Sequence, residues 1–375
     1  MDKLLRIRDE IDKADKEIVK YFERRMELCK DVAEYKFQTG KAVFDRQREI
    51  EKIEKLRKVA SDEFYSHCVE ELFEQIMSMS RKMQYALLRE EGVNNDIGFE
   101  MVSDIPKENV EVIYQGMPGA YSQQATHKYF GTDVSCHYVK TFRDAMIELS
   151  KGKGDYAVLP FENSTAGIVT EVFDLMVEYD CYILDTFDIP IDHAVLGVKG
   201  ATLEDINKVY SHKQALDQSE VYLDGKGWDR VSYLNTATSA KLVADTNDKS
   251  IAAIASEKAA EIYGLEILDR HVNSAYGNAT KFIVISKKKI ARKDAKTICI
   301  SFEMPNESGS LYTMLSHLIY NDINMTMIQS RPIKDRNWQY RFYIEFDGTS
   351  HQSGVVNALS GINAEAHNMK ILGNY

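Results

Sequence analysis

The sequence predicts a multidomain chain: an all-α N-terminal region, a two-lobed α/β region and a C-terminal α+β module of ferredoxin-like βαββαβ order. Three observations carry that expectation. Residues 2–89 contain no proline, and their apolar residues recur at helical spacing. From residue 110, short β-rich runs (VEVIYQ, DYAVLP, CYILDTF, HAVLGV, IAAIAS, KFIVIS) alternate with helical stretches, the pattern of an α/β domain with a mostly parallel sheet. After the basic run 287–289 the pattern restarts as TICISFEM, a helix from Gly309, MTMIQSRPI, YRFYIEF, a second helix and MKILG. A chain of 375 residues accommodates two or three such units, here 1–90, 110–286 and 296–375, with 91–109 and the basic stretch after 286 as linkers.

Composition excludes several classes. Hydrophobic residues at 44% and charged residues at 28% fit a globular protein with a sizeable core. A net charge of −11 and a pI near 5.4 disfavour nucleic acid and anionic membrane as partners. An acidic substrate would therefore need a local cluster of positive groups. The five cysteines include no CxxC pair, which argues against a disulfide framework or zinc site. No run approaches the ~18 apolar residues of a membrane span, and the N-terminus does not read as an export signal. A cytoplasmic location, no metal and no cofactor are expected.

In the first stretch, Ile7, Ile11, Ala14, Ile18, Tyr21, Leu28, Val32 and Tyr35 form a heptad seam running almost to Gly40. A helix of that length spans roughly 55 Å and calls for a partner helix, most simply in a homodimer. Arg25 shares the register of Ile11, Ile18 and Val32. A buried guanidinium needs an anion, either a structural carboxylate such as Glu49 or a bound ligand. Lys36 lies about 20° round and ~16 Å along the same helix, so the two cations can flank a small dianion. Arg8 sits ~25 Å before Arg25 and cannot serve the same site from the same chain. It is either a solvated charge or a contribution to a partner's site. Asp45, Arg48 and Glu49 share one helical face, as surface ion pairs also do. Ser80 and Gln84 set polar groups at the edge of an apolar seam, where they need partners.

These eight positions, with the string RRMELCKDVAEYK, resemble the all-helical chorismate mutase family. The resemblance implies rearrangement of chorismate to prephenate with no covalent intermediate, by positioning and electrostatics. It implies that Arg25, Arg48 and a partner chain's Arg8 hold the carboxylates. Lys36 and Gln84 would donate to the ether oxygen as its bond breaks. Asp45 and Glu49 would orient Arg48 or bind the substrate hydroxyl, and Ser80 would line the site.

In the α/β region three loops, 116–122 (GMPGAYS), 162–167 (ENSTAG) and 236–240 (TATSA), read as β-runs ending in small and hydroxyl residues that open helices. Helix N-termini can hold carboxylates, although such residues are also ordinary helix starts. Thr280 precedes a β-run where its hydroxyl can face a cleft. The strings YQGMPGAYSQQA, DYAVLPFENSTAGIV, YSHKQALDQ and NATKFIVI are similar to prephenate dehydratases over essentially all of 110–286. This resemblance implies that Thr280 assists departure of the ring hydroxyl of prephenate as carboxylate is lost and phenylpyruvate forms. Ser122, Asn163, Ser164, Thr165 and Lys281 would line the site, with His212 and Gln214 in support. Lys281 stands where arginine is usual and lacks its planar fork; Phe161 replaces the usual isoleucine.

ESGSLYTMLSHL and NMTMIQSRP resemble an ACT domain, a module that binds amino acids. The resemblance implies an effector site at Gly309, Leu311, Asn324, Gln329, Ser330 and Arg331, with L-phenylalanine as effector. Gln329 replaces the usual glutamate and removes a charge. Two rival expectations are that one of the two activities is silent, or that the α/β region is a non-catalytic amino-acid sensor.

Overall fold

The computed structural model describes residues 3–91, 97–304, 306–307, 309–334, 336 and 338–375. Residues 92–96 of the expected linker and Ser308 of the expected effector motif lie outside the described residues. The chain forms two compact units, 1–98 with 296–371 and 99–295 with 372–375.

The first unit opens with three helices, α1 (Lys3–Thr39), α2 (Arg46–Arg57) and α3 (Glu63–Glu90). Gly40 ends α1 at φ +65°, a left-handed position that glycine occupies without strain. Asp45 caps α2 by accepting from Arg48 N at 3.2 Å. Met77, Ser80, Arg81, Gln84, Tyr85 and Leu88 line the buried stripe of α3 at helical spacing. Along α1 only Ala33 is buried; Ile7, Ile11, Ile18, Tyr21, Leu28, Val32 and Tyr35 of the seam are exposed.

The same unit contains strands Thr297–Met304, Met325–Pro332 and Tyr340–Asp347, residues 367–371 of strand His367–Asn374, and helices Ser310–Ile319 and Ser353–Glu365. The strand order is 325–332, 340–347, 297–304, 367–374, which is the βαββαβ topology. Ile298, Ile300, Phe302, Ile344 and Phe346 pack from the sheet against Leu318, Val355, Leu359 and Ile362 of the helices. The two helices approach closely at Gly361, where an added Cβ would meet the His317 ring at 2.3 Å. Helix Ser353–Glu365 also packs on α3, with Val356 against Val43, Tyr85 and Leu88.

The second unit has two lobes. In the first, strands run in the order Tyr182–Pro190, Ala279–Ser286, Tyr156–Asn163, Glu111–Gln115, Ser135–Val139. In the second the order is Glu266–Asp269, Ala194–Gly197, Ile251–Ala255, Lys208–Ser211, Asp229–Ser232. The chain leaves the first lobe after Pro190 and returns at Ala279. Both sheets are mixed rather than mostly parallel, because Ala279–Ser286 and Ala194–Gly197 run antiparallel to their neighbours.

Residues 99–109 of the first expected linker and the stretch 287–295 are part of this unit. Strand Glu100–Val102 pairs in parallel with Ile290–Arg292, and Phe99, Ile105, Ile290 and Ala291 are buried. Strands of three residues are too short to show an alternating pattern in sequence. Among the described residues no helix is long and apolar enough to cross a membrane.

Candidate active sites

In the helical unit, α1 and α3 bring Arg25 and Ser80 together, with Arg25 Nη1 donating to Ser80 Oγ at 2.7 Å. The Ser80 proton goes one turn back to the Ile76 carbonyl at 3.0 Å, leaving its lone pairs to Arg25. Arg25 is half-buried and pairs with no carboxylate among the described residues. Glu49 is not its partner: that carboxylate forms an ion pair with Arg81. Lys36 is half-buried, and its ammonium donates to the Val43 carbonyl at 2.6 Å. Burial pulls its pKa below the ordinary lysine value, Glu49 opposes that shift, and the nearby Arg48 adds to it. Arg48 is exposed and has no carboxylate side-chain partner among the described residues. Asp45 is occupied as the cap of α2. Gln84 is 5% exposed; its amide nitrogen donates to the Ser80 carbonyl at 3.3 Å, while its Oε1 is buried with no partner among the described residues.

Hydrogen bonds join Arg25, Ser80 and Gln84, and Lys36 lies within electrostatic reach of Arg48, Glu49 and Asp45, of which Glu49 is taken by Arg81 and Asp45 by the α2 cap. Such a site suits a small polyanion. Arg8 is exposed on the N-terminal half of α1, and no bond joins it to this cluster. Sequence reasoning missed Arg81, although an arginine between Ser80 and Gln84 on a buried helical stripe was a visible signal.

In the α/β unit, adjacent strands set Thr280 opposite Asn163. Asn163 Nδ2 donates to Thr280 Oγ1 at 2.9 Å and to the Ala279 carbonyl at 3.1 Å. Its Oδ1 accepts from Thr165 Oγ1 at 2.7 Å and Gln218 Nε2 at 3.2 Å. Ser164 Oγ accepts from Ala279 N at 3.0 Å, which ties the loop to the Thr280 strand. Gln218, from the second lobe, reaches Thr165 Oγ1 at 2.6 Å, and its Oε1 faces His193 Nε2 at 3.2 Å. His193 Nδ1 in turn lies 3.0 Å from the Tyr121 hydroxyl. Gln218 Oε1 can only accept, which places the ring proton on Nε2, while the single Tyr121 hydroxyl proton goes to the Asp192 carbonyl at 2.6 Å. Burial pushes the His193 pKa down to about 4, against the smaller opposing effects of Gln218 and Asp192, so the ring is neutral near pH 7. A cleft of about 420 Å³ is lined by Thr165, Gln214, Gln218 and Asn278. Asn278 Nδ2 is buried with no partner among the described residues, a donor available to an anion.

Several expected features differ. The 162–167 loop closes a hairpin, Gly167–Ile168 pairing back on Glu162 and Asn163, and the following helix starts only at Thr170. Lys281, next to Thr280 in the strand and so on the opposite face, pairs with Glu162 at 3.5 Å. Helix Thr236–Thr246 is capped by Asn235 and Thr238, so its first-turn donors are partly taken. Ser122 is buried in the first turn of helix Tyr121–Phe130, which has no side-chain cap. Gly119 precedes it at φ +88°, where a Cβ would meet Ala259 Cα at 3.0 Å. His212 caps helix Lys213–Gln218. Tyr121, His193, Gln218 and Asn278 were missed, although Tyr121, Gln218 and Asn278 stood within the quoted YQGMPGAYSQQA, YSHKQALDQ and NATKFIVI strings.

The expected effector residues are spread over the C-terminal module. Gly309 precedes helix Ser310–Ile319 at φ +84°, and Leu311 packs against the core. Asn324 donates to Asp347 at 2.8 Å. Gln329, Ser330 and Arg331 lie on Met325–Pro332, the end strand of that order, with Gln329 Nε2 donating to the Ser330 carbonyl at 3.1 Å.

A polyanion site on helices and a neutral hydrogen-bonded hydroxyl between two α/β lobes together describe a two-site enzyme of small carboxylates. Residues 7–85 match the model of chorismate mutase type II, and residues 112–290 match that of prephenate dehydratase. A bifunctional chorismate mutase/prephenate dehydratase of Aquifex aeolicus is 31% identical over 100% of this chain and 98% of its own length. A solved prephenate dehydratase from Arthrobacter aurescens, in complex with L-Phe, is 25% identical with TM-score 0.67, covering 71% of this chain and 90% of that one. The solved structure of GqqA, described as a novel type of quorum-quenching acylase, is 28% identical with TM-score 0.65, covering 70% and 96%. The chain belongs to the bifunctional chorismate mutase/prephenate dehydratases. It rearranges chorismate to prephenate and converts prephenate to phenylpyruvate in phenylalanine biosynthesis.

Proposed function

We propose that Arg25, Lys36, Arg48, Glu49, Ser80 and Gln84 of one chain, completed by Arg8 of a second copy, form the mutase pocket. The observation that carries this is Arg25: a half-buried guanidinium held by Ser80 and, among the described residues, left without a carboxylate. Arg25 and Arg48 take the substrate carboxylates and hold the compact conformer. Lys36 donates to the ether oxygen as the C–O bond breaks and the new C–C bond forms, so the stabilisation falls on charge that develops in the transition state. Asp45 supports the site as the cap that fixes Arg48's backbone. The exposed apolar seam of α1 supports a homodimer, because a stripe of that extent is rarely left in water. Replacing Lys36 by alanine should lower mutase turnover by orders of magnitude and spare the dehydratase; a near-normal mutase rate rejects this pocket.

At the second site Thr280 donates its proton to the departing ring hydroxyl, which leaves as water, and takes a proton back from solvent; the electron pair of the breaking C–C bond to the carboxylate moves into the ring, releasing carbon dioxide and aromatising it. Asn163, Ser164 and Thr165 order the loop around it, Gln218 holds Asn163 and is itself held by His193, and Ser122 stands at the start of helix Tyr121–Phe130. Asn278 offers a donor to the substrate. Lys281 acts on the opposite strand face as the partner of Glu162.

The C-terminal module reads as an ACT domain that binds L-phenylalanine through Gly309, Leu311, Asn324, Gln329, Ser330 and Arg331. Its βαββαβ order and the L-Phe bound to the Arthrobacter relative support that reading. The five free cysteines are in keeping with a cytoplasmic home. Calorimetry with L-phenylalanine tests the regulatory part: saturable heat with dehydratase inhibition supports it, and no heat at millimolar ligand rejects it.

A further inference from the structure

We infer that Arg81 is a positioning residue of the mutase reaction, oriented from the C-terminal module by Asn357, so that the placement of Glu49 depends on helix Ser353–Glu365. The inference rests on the reading of Glu49 as a mutase-site residue.

Arg81 is 5% exposed. A guanidinium so deeply buried is tolerable only when its charge is matched and its donors are used. Its Nη1 takes the Glu49 carboxylate, its Nε donates to Asn357 Oδ1 at 3.1 Å, and its guanidinium carbon lies 4.5 Å from the centre of the Phe44 ring. Two edges of a planar fork and its face are therefore fixed, which sets the direction from which Glu49 is held.

Asn357 is itself rigid. It is fully buried, and its Nδ2 lies 2.9 Å from the Ser78 carbonyl, 3.1 Å from Ser78 Oγ and 2.9 Å from Asn321 Oδ1. A flipped amide would turn Oδ1 onto the Ser78 carbonyl and a donor onto Arg81, so only one orientation satisfies both sides. Asn321 is anchored in turn to the His317 carbonyl at 2.8 Å. Side chains thus run without a break from Glu49 on α2, through α3, to the two helices of the C-terminal module. The buried cation has no carboxylate of that module as counter-ion among the described residues. Its counter-ion is the mutase carboxylate, which a purely structural strut would not require.

The test is steady-state mutase kinetics on the full chain for Asn357→Ala, Arg81→Lys, Glu49→Gln, Lys36→Ala and the double variant Asn357→Ala/Glu49→Gln. Dehydratase activity on prephenate in the same preparations reports folding. Asn357→Ala should lower mutase kcat/KM roughly 5- to 30-fold with dehydratase kinetics unchanged, and the loss should vanish in the Glu49→Gln background, since there is then no carboxylate to misplace. A general loosening would persist in that background and would overturn the inference. If Asn357→Ala fails to fold, Arg81→Lys decides. It keeps the cation but cannot hold both partners, so a matching loss supports the inference and a wild-type mutase rate overturns it. Loss of mutase in Lys36→Ala with no effect of Asn357→Ala rejects the positioning role alone; a normal rate in Lys36→Ala rejects the pocket and the inference with it.

Discussion

Asn163 donates its side-chain amide to the Thr280 hydroxyl oxygen at 2.9 Å, which leaves the single Thr280 proton free to be given away. A hydroxyl that accepts from a neutral amide is polarised as a donor. Removing Asn163 should therefore damage the dehydratase even though it need not touch substrate. Asn163→Ala is expected to lower dehydratase kcat about 10- to 100-fold with mutase kinetics intact, and Thr280→Ser should keep part of the activity. Single-turnover assays on prephenate check both.

His193 gives a stability prediction with a definite sign. Its folded pKa of about 4 lies below the ordinary 6.5, so the unfolded chain binds the extra proton between those values. Its contribution is complete above pH 6.5 and is lost as pH falls toward 4, a change of ~3 kcal/mol for a group this buried. Denaturant unfolding at pH 7.5 and 4.5 should show this loss in the wild type and a smaller one in His193→Gln.

Lys36 predicts the alkaline side of the mutase profile. Burial lowers its pKa from the ordinary 10.5, and the protonated form is the active one, so mutase kcat/KM should fall with rising pH earlier than an unperturbed lysine allows. Lys36→Arg should shift that limb out of range. A limb unchanged by the substitution assigns it to another group.

Arg25 shows how far sequence reached. A cation in an apolar register announced a site, yet spacing left Glu49 and a ligand equally open. Only the fold showed Glu49 taken by Arg81, a residue outside the eight motif positions. Asn357 lies 276 residues from Arg81, and no local pattern reports such a pair. At the second site the local strings contained Asn163, Thr280 and Gln218, but Gln218 meets Asn163, and His193 meets Gln218, only because the chain crosses twice between lobes. The 162–167 string misled because small hydroxyl residues start helices and close hairpins alike. Lys281 misled because strand alternation turns neighbours to opposite faces.

The exposed α1 seam and the distant Arg8 predict complementation. Arg8→Ala and Lys36→Ala chains should each be poor mutases alone. Unfolded and refolded together, they should regain activity, because a mixed dimer contains one site built from intact halves. Refolding that yields only the sum of the two separate activities argues against a shared site.

The most direct measurement follows both reactions at once in the Thr280→Ala chain supplied with chorismate. Two sites in one chain predict that chorismate disappears at the wild-type rate, prephenate accumulates and no phenylpyruvate forms. Continued phenylpyruvate formation, or loss of chorismate consumption in a folded variant, would contradict the account.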